Sequence, residues 1–177
     1  SWRDLLNPKW KGKIVFNDPS ISGGGVSTFA ALALGIMNLS YLKELGKQDL
    51  VFVRDNRQQA EWVARGKYPI AIGLEEEPMV RFIDAGAPIG FITPREGSYV
   101  TASAGSLSLV NRPPHPKAAI LFVNWLLSKE GQTVFSRAYG SQSARVDVPT
   151  DFLAPGLLRQ PGIKYIDTVS EDFAVKK

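Results

Sequence analysis

Cysteine is absent from the 177 residues, and histidine occurs once, as His115. The first absence excludes a disulfide scaffold, thiolate zinc sites, iron–sulfur clusters and a cysteine nucleophile. The second excludes a metal site built on several histidines. No G-x-S-x-G nucleophile elbow occurs either, and His115 lies in a proline-rich loop, where exposure is the expected state. Long runs of one charge are also missing. Lysine and arginine total 21 against 17 acidic residues, a net of +4, and this small excess is spread out. A nucleic-acid partner is therefore not expected. No apolar stretch approaches about 18 uninterrupted residues, the length needed to span a bilayer. Residues 1–20 carry no signal-peptide pattern. What remains is an ordinary hydrophobic content of 44%, enough for one domain or two small lobes with a buried core.

Continuous apolar runs alternate with helical stretches. Lys13–Asn17 reads as a strand, followed by a Gly-rich loop and a helix from about Val26 to Leu45, broken near Asn38–Ser40 and stopped by Gly46. Leu50–Val53 is a second strand. Asp55 or Asn56 caps a helix over Arg57–Arg65. Tyr68–Ile72 is a third strand, Glu75–Ala85 a helix ended by Gly86, and Ile89–Ile92 a fourth strand. Strands of this kind, separated by helices, predict an α/β fold, a parallel or mixed sheet flanked by helices. After a Pro/Gly/Ser segment at Thr93–Tyr99 the texture changes. Thr101–Val110 alternates as a half-buried strand does. Pro116 starts a helix whose residues Ala119, Phe122, Val123, Leu126 and Leu127 share one face. Phe122 and Trp125 are expected in the core. Ser128 caps a further helix, Lys129–Tyr139, and from Gly140 onward the chain reads mostly as loop, with a helix or turn near Asp151–Leu158.

In an open parallel sheet, ligands bind at the carboxyl ends of the strands. Three turns fall there. Asp18–Thr28 brings Gly23, Gly24 and Gly25 for close backbone approach, the hydroxyls of Ser22, Ser27 and Thr28, and a helix N-terminus suited to anions. It matches neither nucleotide-binding glycine pattern. Arg54–Arg57 contains Asn56, with capping as the plainer role. Gly73–Pro78 brings Glu75, Glu76 and Glu77 to a helix start, which the helix dipole alone explains; the sharper reading is a cation- or hydroxyl-binding cluster. Ser98 and Tyr99 lie in the linking segment and are candidates to face a cleft.

Three segments resemble one family. DLLNPKWKGKIVFNDPSISGGG (Asp4–Gly25), ARGKYPIAIG (Ala64–Gly73) and HPKAAILFVNWLLSKEGQTVF (His115–Phe135) occur in the order found in family 1 extracellular solute-binding proteins. These are the type II periplasmic binding proteins of ABC importers, and the ferric-iron branch is the most similar. The resemblance spans roughly residues 2–140. It implies a two-lobed trap that closes on a solute and hands it to the permease subunits of a membrane transporter, in the periplasm or outside the cell. It implies no catalysis and calls for no cofactor. The ligand is then a small molecule or metal complex, held by Ser22, Gly23, Gly24, Gly25, Ser27, Thr28, Asn56, Glu75, Glu76, Ser98 and Tyr99. Residues 10–93 correspond to the ligand-binding lobe. Residues 94–177 correspond to the hinge return, part of a second lobe and a C-terminal tail. The two-lobe arrangement is incomplete: family members also carry an N-terminal half of lobe one and a secretion signal, so the chain is expected to be a C-terminal fragment. Ferric-binding members place adjacent tyrosines just after the strand matching Ile70–Gly73. Here Leu74-Glu75-Glu76 stand there, so tyrosinate ligation is not expected and no metal ligands are assigned. Two other readings stay open, an enzyme using Glu75–Glu77 as acid or base, and a regulatory effector-binding lobe.

Overall fold

The computed structural model describes residues 1–100 and 107–174. The chain divides into two compact units, one formed by 1–103 with 159–177, the other by 104–158.

The first unit is built on three short parallel strands. β1 (Ile14–Asn17) is central, with β2 (Val51–Val53) on one side and β3 (Ile70–Ile72) on the other. Val15 stands opposite Val51 and Ala71, and Phe16 opposite Phe52 and Ile72. All four β1 residues are buried, which is why the run is apolar without alternation. Helices join the strands: α1 (Gly24–Ala31), α2 (Leu39–Gly46), α3 (Asn56–Ala64) and α4 (Glu76–Asp84). The helix expected over Val26–Leu45, with a break near Asn38–Ser40, is two helices. α1 loosens into a π turn over Leu32–Ile36, where the Met37 N–H reaches back to the Leu32 carbonyl at 3.0 Å. Asn38 then restarts the chain as the cap of α2, its side chain accepting from the Tyr41 N–H at 2.9 Å. Asp55, not Asn56, caps α3, accepting from Arg57 and Gln58.

The core is Ile14, Phe16, Leu32, Tyr41, Leu45 and Ile72, with Trp2, Leu5, Leu6 and Trp10 packed against it. The last four lie on two successive 3-10 turns, Trp2–Leu6 and Pro8–Trp10. The segment is tied down by the Tyr41 hydroxyl donating to the Trp2 carbonyl at 2.6 Å and by Gln48 Nε2 donating to Leu6 at 2.8 Å. The opening motif therefore wraps the core. Its return point is Glu96, whose carboxylate accepts from the Trp2 N–H at 3.0 Å and from the Ser1 hydroxyl.

One strand expectation fails, and the described end of another does too. Ile89–Ile92 is irregular, and Ile92 is 84% exposed. Gly90 interrupts the run, prolines flank it, and no ladder partner receives it among the described residues. Of the strand expected at Thr101–Val110, residues 101–106 lie outside the described residues. Residues 107–110 form no strand, and Leu107, Leu109 and Val110 are exposed. A strand does form just before it, β4 (Ser98–Val100), parallel to β5 (Tyr165–Asp167). β5 went unforeseen because it is three residues long inside a loop-rich tail. A four-residue α7 (Glu171–Ala174) follows it.

The second unit holds α5 (Pro116–Leu126) and α6 (Lys129–Tyr139). Their junction satisfies its own carbonyls. Ser128 Oγ donates to the Trp125 carbonyl at 2.6 Å and accepts from the Gly131 N–H at 3.1 Å. Gln132 Nε2 donates to Leu126 at 2.9 Å, and Arg145 Nη1 to Leu127 at 3.1 Å. Gly131 is obligatory there, since a Cβ would lie 2.1 Å from the Trp125 carbonyl oxygen. Ser128, Gly131 and Gln132 of the LLSKEGQ stretch thus meet in one joint. The expected burial of Phe122 and Trp125 fails: α5 has no buried residue, and Phe122 is 54% exposed. Amphipathic spacing marks a face that can be covered; it does not supply the cover. A short 3-10 turn at Pro155–Leu157 falls within the stretch where a helix or turn was expected.

Candidate functional site

The loops that leave β1, β2 and β3 all emerge at one edge of the sheet, because the strands are parallel. Asn17, the last residue of β1 and 2% exposed, organises that edge. Its Oδ1 accepts from the Gly25 N–H at 3.1 Å, so it occupies one donor left open at the start of α1. Its Nδ2 donates to Asn56 Oδ1 at 3.1 Å, reaching the loop after β2. Asn56 is free for this because Asp55 does the capping. Sequence reasoning passed over Asn17. The available signal was a lone amide closing an otherwise apolar strand.

The glycines sit differently from expectation. A Cβ on Gly24 would lie 2.1 Å from the Gly73 carbonyl oxygen, and one on Gly25 2.2 Å from that of Asn17. Their hydrogen-only side therefore faces the ends of β3 and β1, not a ligand. They let α1 rest its N-terminus directly on two strand ends. Gly23, ahead of them, has φ +145° and lies beside Glu75: a Cβ there would be 3.9 Å from Glu75 Oε1.

Thr28, 1% exposed, joins α1 to β4. Its Oγ1 donates to the Gly24 carbonyl at 2.7 Å and lies 2.5 Å from the Tyr99 hydroxyl. Burial raises the Tyr99 pKa, and the charges of Glu76 and Glu75 add to this, against the lowering effect of the Thr28 hydrogen bond. Glu76 is half-buried and its pKa is raised by that burial. The three glutamates do not act together. Glu77 is in an ion pair with Arg81 at 2.5 Å, and Glu75 is exposed. Among the described residues, no group of three or more acidic or histidine side chains could hold a metal ion.

Of the other candidates, Ser22 is exposed and Ser27 half-buried. Ser98 joins the β4–β5 pair, donating its N–H to Lys164 at 2.9 Å. Asp18 shapes the first loop. Its Oδ1 accepts from the Ser20 hydroxyl at 2.6 Å and its Oδ2 from Arg54 at 2.8 Å. These bonds hold its pKa at about 2. Asn17, Gly23–Gly25, Thr28, Asn56, Glu75, Glu76 and Tyr99 thus gather around the strand ends, while Ser27 joins them only through its backbone N–H, which donates to the Gly23 carbonyl at 3.3 Å.

The model of the bacterial extracellular solute-binding protein family matches residues 1–141. The chain belongs to this family. An uncharacterized protein of Haemophilus influenzae (strain ATCC 51907 / DSM 11121 / KW20 / Rd) is 30% identical to the solute-binding chain over 134 residues, which is 74% of this chain and 38% of that protein. A solved structure described as a two-component system protein that mediates signal transduction superposes with a TM-score of 0.71 at 24% identity, over 97% of this chain and 55% of that one. That likeness shows the fold. In both comparisons the chain spans little more than half, or less, of the similar protein's length.

Proposed function

We propose that the chain is part of the substrate-binding component of an ABC importer, which captures a small solute and delivers it to a membrane permease. The observation that carries this is the meeting, at the ends of three parallel strands, of the α1 N-terminus with Asn17, Asn56, Glu76 and Tyr99. Preorganised polar groups at strand ends suit binding and release. The solute is a small molecule or metal complex, and the setting is periplasmic or extracellular, as the family description indicates. No helix is long and apolar enough to cross a membrane among the described residues; the permease is the membrane partner in this reading. Kinship with the ferric-iron branch rests on the opening and helix-pair motifs; Leu74-Glu75-Glu76 after β3 argue for a solute held without tyrosinates there. Residues 10–93 form the ligand-binding lobe in this reading, and closure of the complete protein hinges on Thr93–Ser98.

Native mass spectrometry of the full-length protein purified from its source tests the proposal. A co-purified small solute, with binding lost in Asn17→Ala, is the expected result. Isolation without any solute, together with turnover of a substrate that Glu76→Gln abolishes, would replace it with the enzyme reading. A second reading, sensing of the solute for a signalling partner, draws on the structural likeness to a two-component system protein. Loss of solute uptake on deletion separates import from sensing.

A further inference from the structure

α3 carries one side chain whose presence packing alone does not account for. Gln59 is fully buried, with Ala60 beside it, and Val15 and Ile72 of the sheet are buried too. Its Nε2 donates to the Ile72 carbonyl at 3.0 Å and, over a longer 3.4 Å, to the Val15 carbonyl. Both neighbours only accept, so the NH2 end of the amide must face them. Its Oε1 has no hydrogen-bond partner among the described residues. An apolar side chain of similar volume would fill the place without stranding an oxygen, and a stranded buried oxygen costs stability. What the amide adds is its donor.

That donor acts where the strands end. Ile72 is the last residue of β3, and Gly73 turns the chain away at φ +70°. The next carbonyl, that of Gly73, is the one on which α1 rests at Gly24. Gln59 therefore pins the last carbonyl before that turn. Asn56 stands three residues earlier on α3, so the two amides lie on one face of the helix. Asn56 Oδ1 accepts from Asn17 Nδ2 at 3.1 Å. α3 thus grips the sheet at two levels, through Asn56 at the end of β1 and through Gln59 at Val15 and Ile72. The Asn56 bond is half-buried, at the first residue of the helix, where water competes for it. The Gln59 bonds are shut away from water. The Gln59 main chain meanwhile closes the first turn of α3, its N–H donating to the Asp55 carbonyl at 3.0 Å.

We propose that Gln59 is a positioning residue of the strand-end site: by donating into β1 and β3 from the buried face of α3, it sets the helix where Asn56 meets Asn17, and so holds the Asn17 amide on the Gly25 N–H. The proposal rests on the reading of these strand ends as the solute site. Gln59 is fully buried and touches no solute. It acts through Asn56 and Asn17.

Exchange of side-chain amide protons with water, followed by NMR on the isotope-labelled full-length protein, tests this. In the unaltered protein the Gln59 NH2 protons, and the Asn17 proton given to Asn56, are expected to exchange at least about tenfold more slowly than the NH2 protons of exposed Gln58. Gln59→Met keeps the volume and removes the donor. It is expected to speed the Asn17 proton about tenfold more than the backbone N–H of Leu45, a core residue whose exchange reports loosening of the whole fold. A purely structural role would speed both alike. Asn56→Ala cuts the outer bond alone. It is expected to free the Asn17 proton and to leave the Gln59 protons slow. Gln59 protons as fast as those of Gln58 in the unaltered protein, equal acceleration of Asn17 and Leu45 in Gln59→Met, or release of the Gln59 protons in Asn56→Ala overturns the proposal. Solute-induced shifts confined to places other than the strand ends would instead remove the site reading and leave the grip of α3 on β1 and β3 as measured.

Discussion

Two places in this molecule press a glycine against backbone, and they end differently. At the α5–α6 junction Gly131 meets the Trp125 carbonyl, and Ser128, Gln132 and Arg145 then satisfy the carbonyls of Trp125, Leu126 and Leu127. At the strand ends Gly24 and Gly25 meet Gly73 and Asn17, but the polar groups are only partly used up, with Glu76 left without a partner among the described residues. The first arrangement is a sealed joint. The second keeps polar groups unused, as the proposed binding site requires. Glycine content alone does not separate the two; the accounting of donors and acceptors does.

The comparison can be broken most forcefully in the cores of the two units. Phe16→Ala empties a buried position in the central strand and is expected to cost about 3–5 kcal/mol. Phe122→Ala, on the uncovered face of α5, is expected to cost far less in this chain. Chemical denaturation of both variants checks the difference. The glycines come next. Gly25→Ala and Gly131→Ala each force a Cβ onto a backbone carbonyl and are expected to cost about 1–3 kcal/mol, the range for overpacking. They should diverge in binding: Gly25→Ala loses the solute beyond its loss of stability, and Gly131→Ala keeps it under conditions where it is folded. Calorimetric titration with the co-purified solute decides this. Ser128→Ala removes a helix cap and is expected to cost about 1 kcal/mol with binding intact, read from thermal melts.

The smallest effects are those of pH, and the two acids have opposite signs. Asp18 has its pKa held at about 2 by Ser20 and Arg54, below its ordinary value of 3.8. Its contribution to stability is present above 3.8 and is lost as pH falls through about 2. Glu76 has a raised pKa, so the folded form binds the proton more tightly than the unfolded chain. Its ionisation weakens the empty protein as pH rises above the ordinary carboxylate range. Melting curves against pH should show Asp18→Asn removing the acid-side loss, and Glu76→Gln raising stability near neutrality.

The sequence made the β–α alternation through Ile72 readable because three apolar runs are each followed by glycine, aspartate or asparagine. Those residues end the strands, and Asp55 also caps α3. The parts that were not readable depend on partners distant in sequence. β5 is three residues that become a strand only beside β4. Ile89–Ile92 has the composition of a strand and no neighbour to pair with. Phe122 has the spacing of a core residue and stays exposed, with Trp125 of its own helix as its ring neighbour. Within the site, the turns were legible from their places after the strands. The role of Asn17 was not, since it lies in bonds to Gly25 and Asn56. Nor was the separation of the glutamates, which follows from Arg81 reaching Glu77 one turn away.

The central claim is that the strand ends of the first unit, and not the helix pair of the second, hold the solute. Backbone amide shifts during titration of the full-length protein with its co-purified solute test this most directly. The account expects the largest changes at Gly23, Gly24, Thr28, Asn56, Glu76 and Tyr99. Changes confined to α5 and α6, with these six unmoved at saturation, would contradict it.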